Sequence, residues 1–198
     1  MQKLTSGLLG LALAAGLAAP AGAQTNVALG KTVTLGAGAV NGVGLATLTD
    51  GAFVPDGQTW TVGSVWWNGT AVQLLIDLGA AFDITGLISQ VDNNDDYRVE
   101  FRDPTTLLWG NAFTFTPPNS SGLRTFPNPA NNAQIGPLPS TVRADMVRFS
   151  AVSGDNSYSV TEIQLYGTAV TSTPEPATVA LLGLGLAGIG LAARRRRA

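Results

Sequence analysis

The chain of 198 residues contains neither histidine nor cysteine. That removes the usual general base at neutral pH, the thiol nucleophile and nearly every zinc site. Paired carboxylates remain a route to catalysis, because glycoside hydrolysis needs only two acids about 5 to 9 Å apart. No serine sits in a Gly-x-Ser-x-Gly elbow. Binding is better provided for. Trp60, Trp66 and Trp67 cluster before the first long alternating run, and an exposed indole can stack on the C–H face of a sugar ring. Neighbours on a strand point to opposite faces, so Trp60 and one of Trp66 and Trp67 are expected in a core. The other is the candidate platform. Trp109 is expected in the core as well. Arg98 and Arg124 are the candidate donors to sugar hydroxyls. Asp92-Asn93-Asn94-Asp95-Asp96 is the densest acidic run, but it lacks the spacing of an EF-hand. It reads as a solvated hairpin loop, with a weak cation site or a ligand-facing role as alternatives. Asn68-Gly69-Thr70 fits a glycosylation sequon that is expected to be coincidental.

These residues lie in a segment whose charge is hidden by the ends of the chain. The whole sequence carries a formal −2, yet residues 24–173 hold six basic against twelve acidic side chains, a net −6. Such a surface argues against nucleic acid or an anionic membrane face as a partner. About 150 residues make one domain, large enough to bury a core without disulfides.

Both ends read as addresses. Lys3, an uncharged run from Leu8 to Ala19, Pro20 and then Ala21-Gly22-Ala23 follow the order of a secretory signal peptide. Residues 1–23 are therefore expected to form a helix that signal peptidase removes, leaving Gln24 as the mature N-terminus. At the other end, Pro174-Glu175-Pro176 precedes an uncharged run over 177–193, closed by Arg194, Arg195, Arg196 and Arg197. Seventeen residues of helix sit at the lower limit for a bilayer core of about 30 Å, and the arginines should stay cytoplasmic. The three-part order over 174–198 resembles the PEP-CTERM sorting signal of Gram-negative bacteria. That resemblance implies an exosortase as processing partner, an inner-membrane intermediate, and delivery to the cell surface or extracellular matrix. An ordinary tail anchor is the alternative.

Between the addresses, strands are legible from period-two alternation. Val72, Leu74, Ile76 and Leu78 share one face, as do Tyr97, Val99 and Phe101, then Val147 with Phe149, and Ile163 with Leu165. Residues 84–91 and 112–116 are further candidates. Pro117 to Pro139 holds six prolines and little alternation, and reads as a long surface loop. No helical period is sustained, so 24–168 is expected to be an all-β sandwich, with 169–173 as linker.

The landmarks also come in a known order. Asn26-Val27-Ala28-Leu29-Gly30-Lys31 looks like an opening strand; Leu48-Thr49-Asp50-Gly51 precedes Thr59-Trp60; Leu74 to Gly79 ends in Asp-Leu-Gly; Tyr97 to Phe101 precedes Trp109; Val147-Arg148-Phe149 and Glu162 to Gly167 close the series. Together they resemble discoidin-type domains, also called coagulation-factor C-type or galactose-binding-like. The resemblance implies a jelly-roll β-sandwich, mostly non-catalytic, with its binding surface in loops at one end. It also implies a structural Ca²⁺ between the Asp-Gly loop and the closing strand, carried over here to Asp50, Asp56, Thr59 and Glu162. The alternative is that Asp50-Gly51 is only a turn and Glu162 only an exposed strand residue. Residues 51–58 are longer than the family pattern, and the disulfide that often ties its termini is absent.

The expectation is a non-enzymatic, exported module that engages extracellular polysaccharide. The alternative is a structural or adhesive matrix protein that binds other proteins.

Overall fold

The computed structural model describes residues 24–117, 122–127 and 136–170, with three further positions at 183, 184 and 186. Alternation does what it predicts. Val72, Leu74, Ile76 and Leu78 are all buried, and so are Tyr97, Val99, Phe101, Val147, Phe149, Ile163 and Leu165. Ten strands result among the described residues: β1 (Thr25–Asn26), β2 (Thr32–Ala37), β3 (Asn41–Gly42), β4 (Val65–Asn68), β5 (Gln73–Asp92), β6 (Asp96–Arg102), β7 (Trp109–Phe115), β8 (Leu123–Phe126), β9 (Gly136–Ser153) and β10 (Ser157–Ala169). A 3-10 helix spans Leu45–Thr49.

Two long strands serve both layers of the sandwich. The first arm of β5 pairs β2 on one side and the second arm of β9 on the other. The second arm of β5 pairs β10, β8 and the first arm of β9. Gly79, with φ +74°, sits where β5 turns, a conformation open to glycine at no steric cost. One layer is thus β2–β5–β9–β6–β7, and the other is built on β3–β4–β10–β5 with β8 alongside. Aromatic side chains close the space between them. Tyr97 of β6 meets Tyr158 of β10 edge-on at 6.3 Å, and Phe115 of β7 stacks on Phe126 of β8 at 5.3 Å. An all-β jelly-roll sandwich is the architecture.

Three sequence expectations change. The two apolar runs at 72–78 and 84–91 are arms of one bent strand. The opening strand is only Thr25–Asn26; residues 27–30 turn, and the regular strand follows at Thr32. The proline-rich stretch contains β8, because Leu123 and Thr125 are buried and the backbone of 123–126 pairs with the rim of β5. Enough of its neighbours are non-proline for a four-residue ladder to form. The expected signal helix over 1–23 lies outside the described residues, as does the expected apolar helix over 177–193 apart from 183, 184 and 186. Among the described residues no helix is long and apolar enough to cross a membrane.

Candidate functional site

Strand register decides where the tryptophans point. Trp67 is fully buried, packed at a tilt 6.1 Å from Tyr158 in the core, so it cannot serve as a platform. Trp66 is the outward member of the pair and is half-buried. Trp60, also half-buried, meets it edge-on at 5.4 Å. Beneath the Trp66 indole lies Gly42: a Cβ there would come within 2.9 Å of Trp66 Cδ1 and would collide with the Ser64 carbonyl oxygen. A glycine with φ +90° is therefore required for β3 to approach β4 this closely.

The residues beside Trp66 are polar. Asn41 lies opposite it on β3 and Ser159 opposite it on β10. Two positions along the same face come Asn68 and its partner Ser157. Asn68 Nδ2 donates to the Asn156 carbonyl at 3.1 Å and lies 3.4 Å from the Ser157 hydroxyl. Asn41 and Asn68 are exposed, and Ser159 is buried with a hydroxyl that has no hydrogen-bond partner. The outer face of β3–β4–β10 thus carries an indole flanked by amides and a hydroxyl, with exposed Val43 and Val62 in the adjoining chain. Sequence reading found the indole and missed Asn41, Asn68 and Ser157, because only strand pairing brings them beside it.

The other predicted sugar contacts lie elsewhere. Arg98 is on the outer face of the opposite layer, between Ser150 and Thr114, with a buried Nε that has no partner. Arg124 is on β8, opposite Val91. The four predicted residues therefore do not form one site. Trp109 is not in the core either: it opens β7 half-buried, with the Arg148 guanidinium 4.6 Å above its ring, while Arg148 Nε donates to Glu100 at 2.8 Å.

The four residues expected to hold calcium divide. Glu162 is fully buried, so it is not an exposed strand residue. Its Oε1 accepts from the Gly51 amide at 3.0 Å and from Gln164 Nε2 at 3.3 Å, while Oε2 is buried without a partner. Burial pushes its pKa up to about 8, and the charge of Asp50 adds to the shift. An orphaned carboxylate oxygen in a site of this kind is costly unless a proton, a cation or water meets it. Asp50 itself caps the turn through Ala52 N at 2.8 Å. Asp56 does not converge with them. Its Oδ1 accepts from the Thr125 amide at 3.0 Å, the Thr125 hydroxyl at 2.9 Å and Gln90 Nε2 at 2.9 Å. Thr59 is exposed, and its carbonyl accepts from Val62 N. Among the described residues no group of three or more acidic side chains is placed to hold a metal ion.

Gln90 explains the detour of the chain over 51–58. It is fully buried, and its amide grips Val54 from both sides: Nε2 donates to the Val54 carbonyl at 2.7 Å and Oε1 accepts from Val54 N at 3.0 Å. Thr161 donates to the same Oε1 at 2.6 Å. The lengthened segment is thereby pinned over the outer face of β5 and β8, next to Trp60.

The acidic run at 92–96 is not a solvated hairpin. Asp92, Asn93 and Asp95 are buried, and only Asn94 is exposed. Asp95 Oδ1 accepts from Asp155 N at 3.1 Å, and Tyr97 Oη donates to Oδ2 at 3.3 Å. A Cβ on Gly154 would collide with Asp95 Oδ1, so glycine is what lets the two loops meet. Burial is the main cause that raises Asp95 to about 7, with Asp92 and Asp155 adding repulsion. Asp92 is also raised by burial.

Comparison with known proteins adds to this geometry at both levels. Residues 172–197 match the PEP-CTERM protein-sorting motif. No curated protein matches the chain. Among solved structures, the lectin domain of lectinolysin complexed with Lewis B antigen is 14% identical, covering 73% of this chain and 98% of that one, with a TM-score of 0.50. A fucose binding module of Streptococcus pneumoniae is 12% identical over 72% of this chain and 95% of that one, at 0.49. Chitosan-binding module 1 of a Paenibacillus sp. IK-5 chitosanase/glucanase is 19% identical over 72% and 99%, at 0.47. At these identities the likeness is one of fold, a β-sandwich. Residues 172–197 thus carry a sorting motif behind a β-sandwich domain.

Proposed function

We propose that this protein is a non-catalytic module that binds polysaccharide outside the cell, delivered there through its sorting motif. The observation that carries the reading is the outward face of β3–β4–β10. Trp66, braced edge-on by Trp60, offers an apolar plane for the C–H face of a pyranose, while Asn41, Asn68 and Ser157 supply donors and acceptors at its margin. The fold class and the discoidin-like order of motifs support the same reading. So does the acidic balance of residues 24–173, which disfavours polyanions. Within this reading an exosortase processes the tail, signal peptidase removes the leader, and the chain passes through the inner membrane of a Gram-negative cell.

Calcium belongs to the proposal as a structural ion held by Glu162 and Asp50, with neutralisation of the buried carboxylate as its contribution. Asp56 has no part in it, since its oxygen is engaged with Thr125 and Gln90.

Retention of the purified protein on the matrix of the producing cells tests the reading. Periodate oxidation of the matrix glycan should abolish retention. Retention that survives periodate but not protease would place the protein among adhesive, protein-binding matrix components instead.

A further inference from the structure

The end of the sandwich from which the chain runs toward the sorting motif carries a rigid apolar tip. Strands β6 and β10 run in the same sense, because each is antiparallel to an arm of β5 or β9 that turns at a common end. At that end Ala169 pairs with Phe82, Phe82 with Ala144, and Met146 with Arg102, the last residue of β6. The Val170 amide donates to the Ala81 carbonyl at 3.1 Å. The β6–β7 tip therefore projects beside the exit of β10, whereas Asp92, Asp95 and Asp155 lie at the opposite end.

Two leucines crown this tip. Leu107 is 59% exposed and Leu108 69%, among the most exposed large apolar residues of the described sandwich. The turn beneath them is fixed: Asp103 Oδ1 accepts from the amides of Thr105 and Thr106 at 2.8 and 2.7 Å, Leu107 N donates to the Asp103 carbonyl, and Asp103 N to the Leu108 carbonyl. Leu107 adopts φ +60°, a left-handed conformation that costs a leucine free energy which asparagine or glycine would largely spare. A polar, relaxed turn would suit solvent better. This one holds two leucines outward.

We infer that Leu107 and Leu108 rest on the lipid surface while the sorting segment is still in the membrane. The inference rests on the reading of residues 177–193 as membrane-embedded. Seven residues separate Ala169 from Ala177, a span of at most ~28 Å even if fully extended. A domain of this length is roughly 40 Å across, so the end that carries the leucines lies nearest the bilayer and the acidic end farthest from it. Lipid suits the tip better than a charged partner does: Arg102 pairs with Asp145, Arg143 pairs with Asp83, and the Asp103 carboxylate is taken up by the Thr105 and Thr106 amides.

The natural absence of cysteine makes the test clean. The chain from Gln24 to Ala198, with Leu108→Cys carrying a polarity-sensitive fluorophore, is reconstituted into zwitterionic phosphatidylcholine vesicles, whose surface does not repel the acidic domain. Asn94→Cys at the far end serves as reference. Flotation with the vesicles reports membrane insertion of the tail. The expected result is a blue-shifted label at position 108, quenched several-fold by nitroxide-bearing lipid, with the label at position 94 unaffected. A floating protein whose label at 108 is as wet as the one at 94 overturns the inference. So does a blue-shifted label that lipid-borne quencher does not reach, which would place the tip against protein. Failure to float would remove the membrane reading of the tail, and this inference with it.

Discussion

Replacing Asp95 with asparagine should make the protein more stable at pH 8 and should flatten its response to pH. Asp95 is buried between the 93–95 and 154–156 loops, facing Asp92 of its own strand end, Asp155 across the gap, and the hydroxyls of Tyr97 and Tyr158. No cation is among the groups that shift it. Its pKa stands near 7 in the fold against an ordinary 3.8, so between those values the folded protein binds more protons than the unfolded chain. Stability is then fully present below about pH 4 and lost as pH rises through about 7. At 1.36 kcal/mol per pKa unit, a rise of about three units corresponds to at most ~4 kcal/mol, and ~2 kcal/mol after partial relaxation. Asparagine keeps the geometry: its carbonyl can still accept from Asp155 N, its amide can donate to Tyr97 Oη, and the hydroxyl can still donate to the Ser159 carbonyl at 3.2 Å. Urea unfolding at pH 5 and pH 8 measures the effect. The Asp95→Asn variant should gain about 2 kcal/mol over the parent at pH 8 and less than half of that at pH 5. A parent whose stability does not fall between these pH values, or a variant weaker than the parent at both, would refute the reasoning.

Three other outcomes follow from the same structure. Trp67→Ala should cost about 3–5 kcal/mol by emptying a core position, whereas Trp66→Ala should cost about 1 kcal/mol; thermal melts separate them. Gln90→Leu should release residues 51–58 from β5 and leave Val54 N and O unpaired, at about 1–3 kcal/mol, and limited proteolysis should then cut within that segment. Millimolar calcium should raise the melting temperature relative to EDTA through Glu162, and Glu162→Gln should abolish the difference; an unchanged melting temperature in the parent removes the ion from the account.

The layers of the fold were legible wherever one face of a strand is apolar and the other polar. Val72 to Leu78 and Tyr97 to Phe101 declare both their state and their inward faces. The period failed where both faces are covered. In β10, Thr161, Glu162 and Gln164 are buried along with Ile163 and Leu165, and nothing local separates a buried glutamate from a solvated one. Asp95 is misread for the same reason, since its burial depends on Gly154, about sixty residues away. The bend joining the arms of β5 was hidden because Gly79 reads equally well as a hairpin turn. At the candidate site, the residue type was legible and its company was not: Trp66 stands out in the sequence, while Asn41 and Ser157 become its neighbours only through the pairing of β3, β4 and β10. Arg98 and Arg124 were plausible as donors by charge, but the strands that carry them lie away from Trp66.

The most direct measurement is the binding isotherm of the protein with polysaccharide purified from the producing cells, for the parent and for Trp66→Ala. The account predicts saturable binding by the parent and a markedly weaker isotherm, by roughly tenfold or more, for the Trp66→Ala variant, with its circular dichroism and cooperative melt retained. Equal binding by the two proteins, or none by either at millimolar sugar, would contradict the claim that this face recognises a glycan.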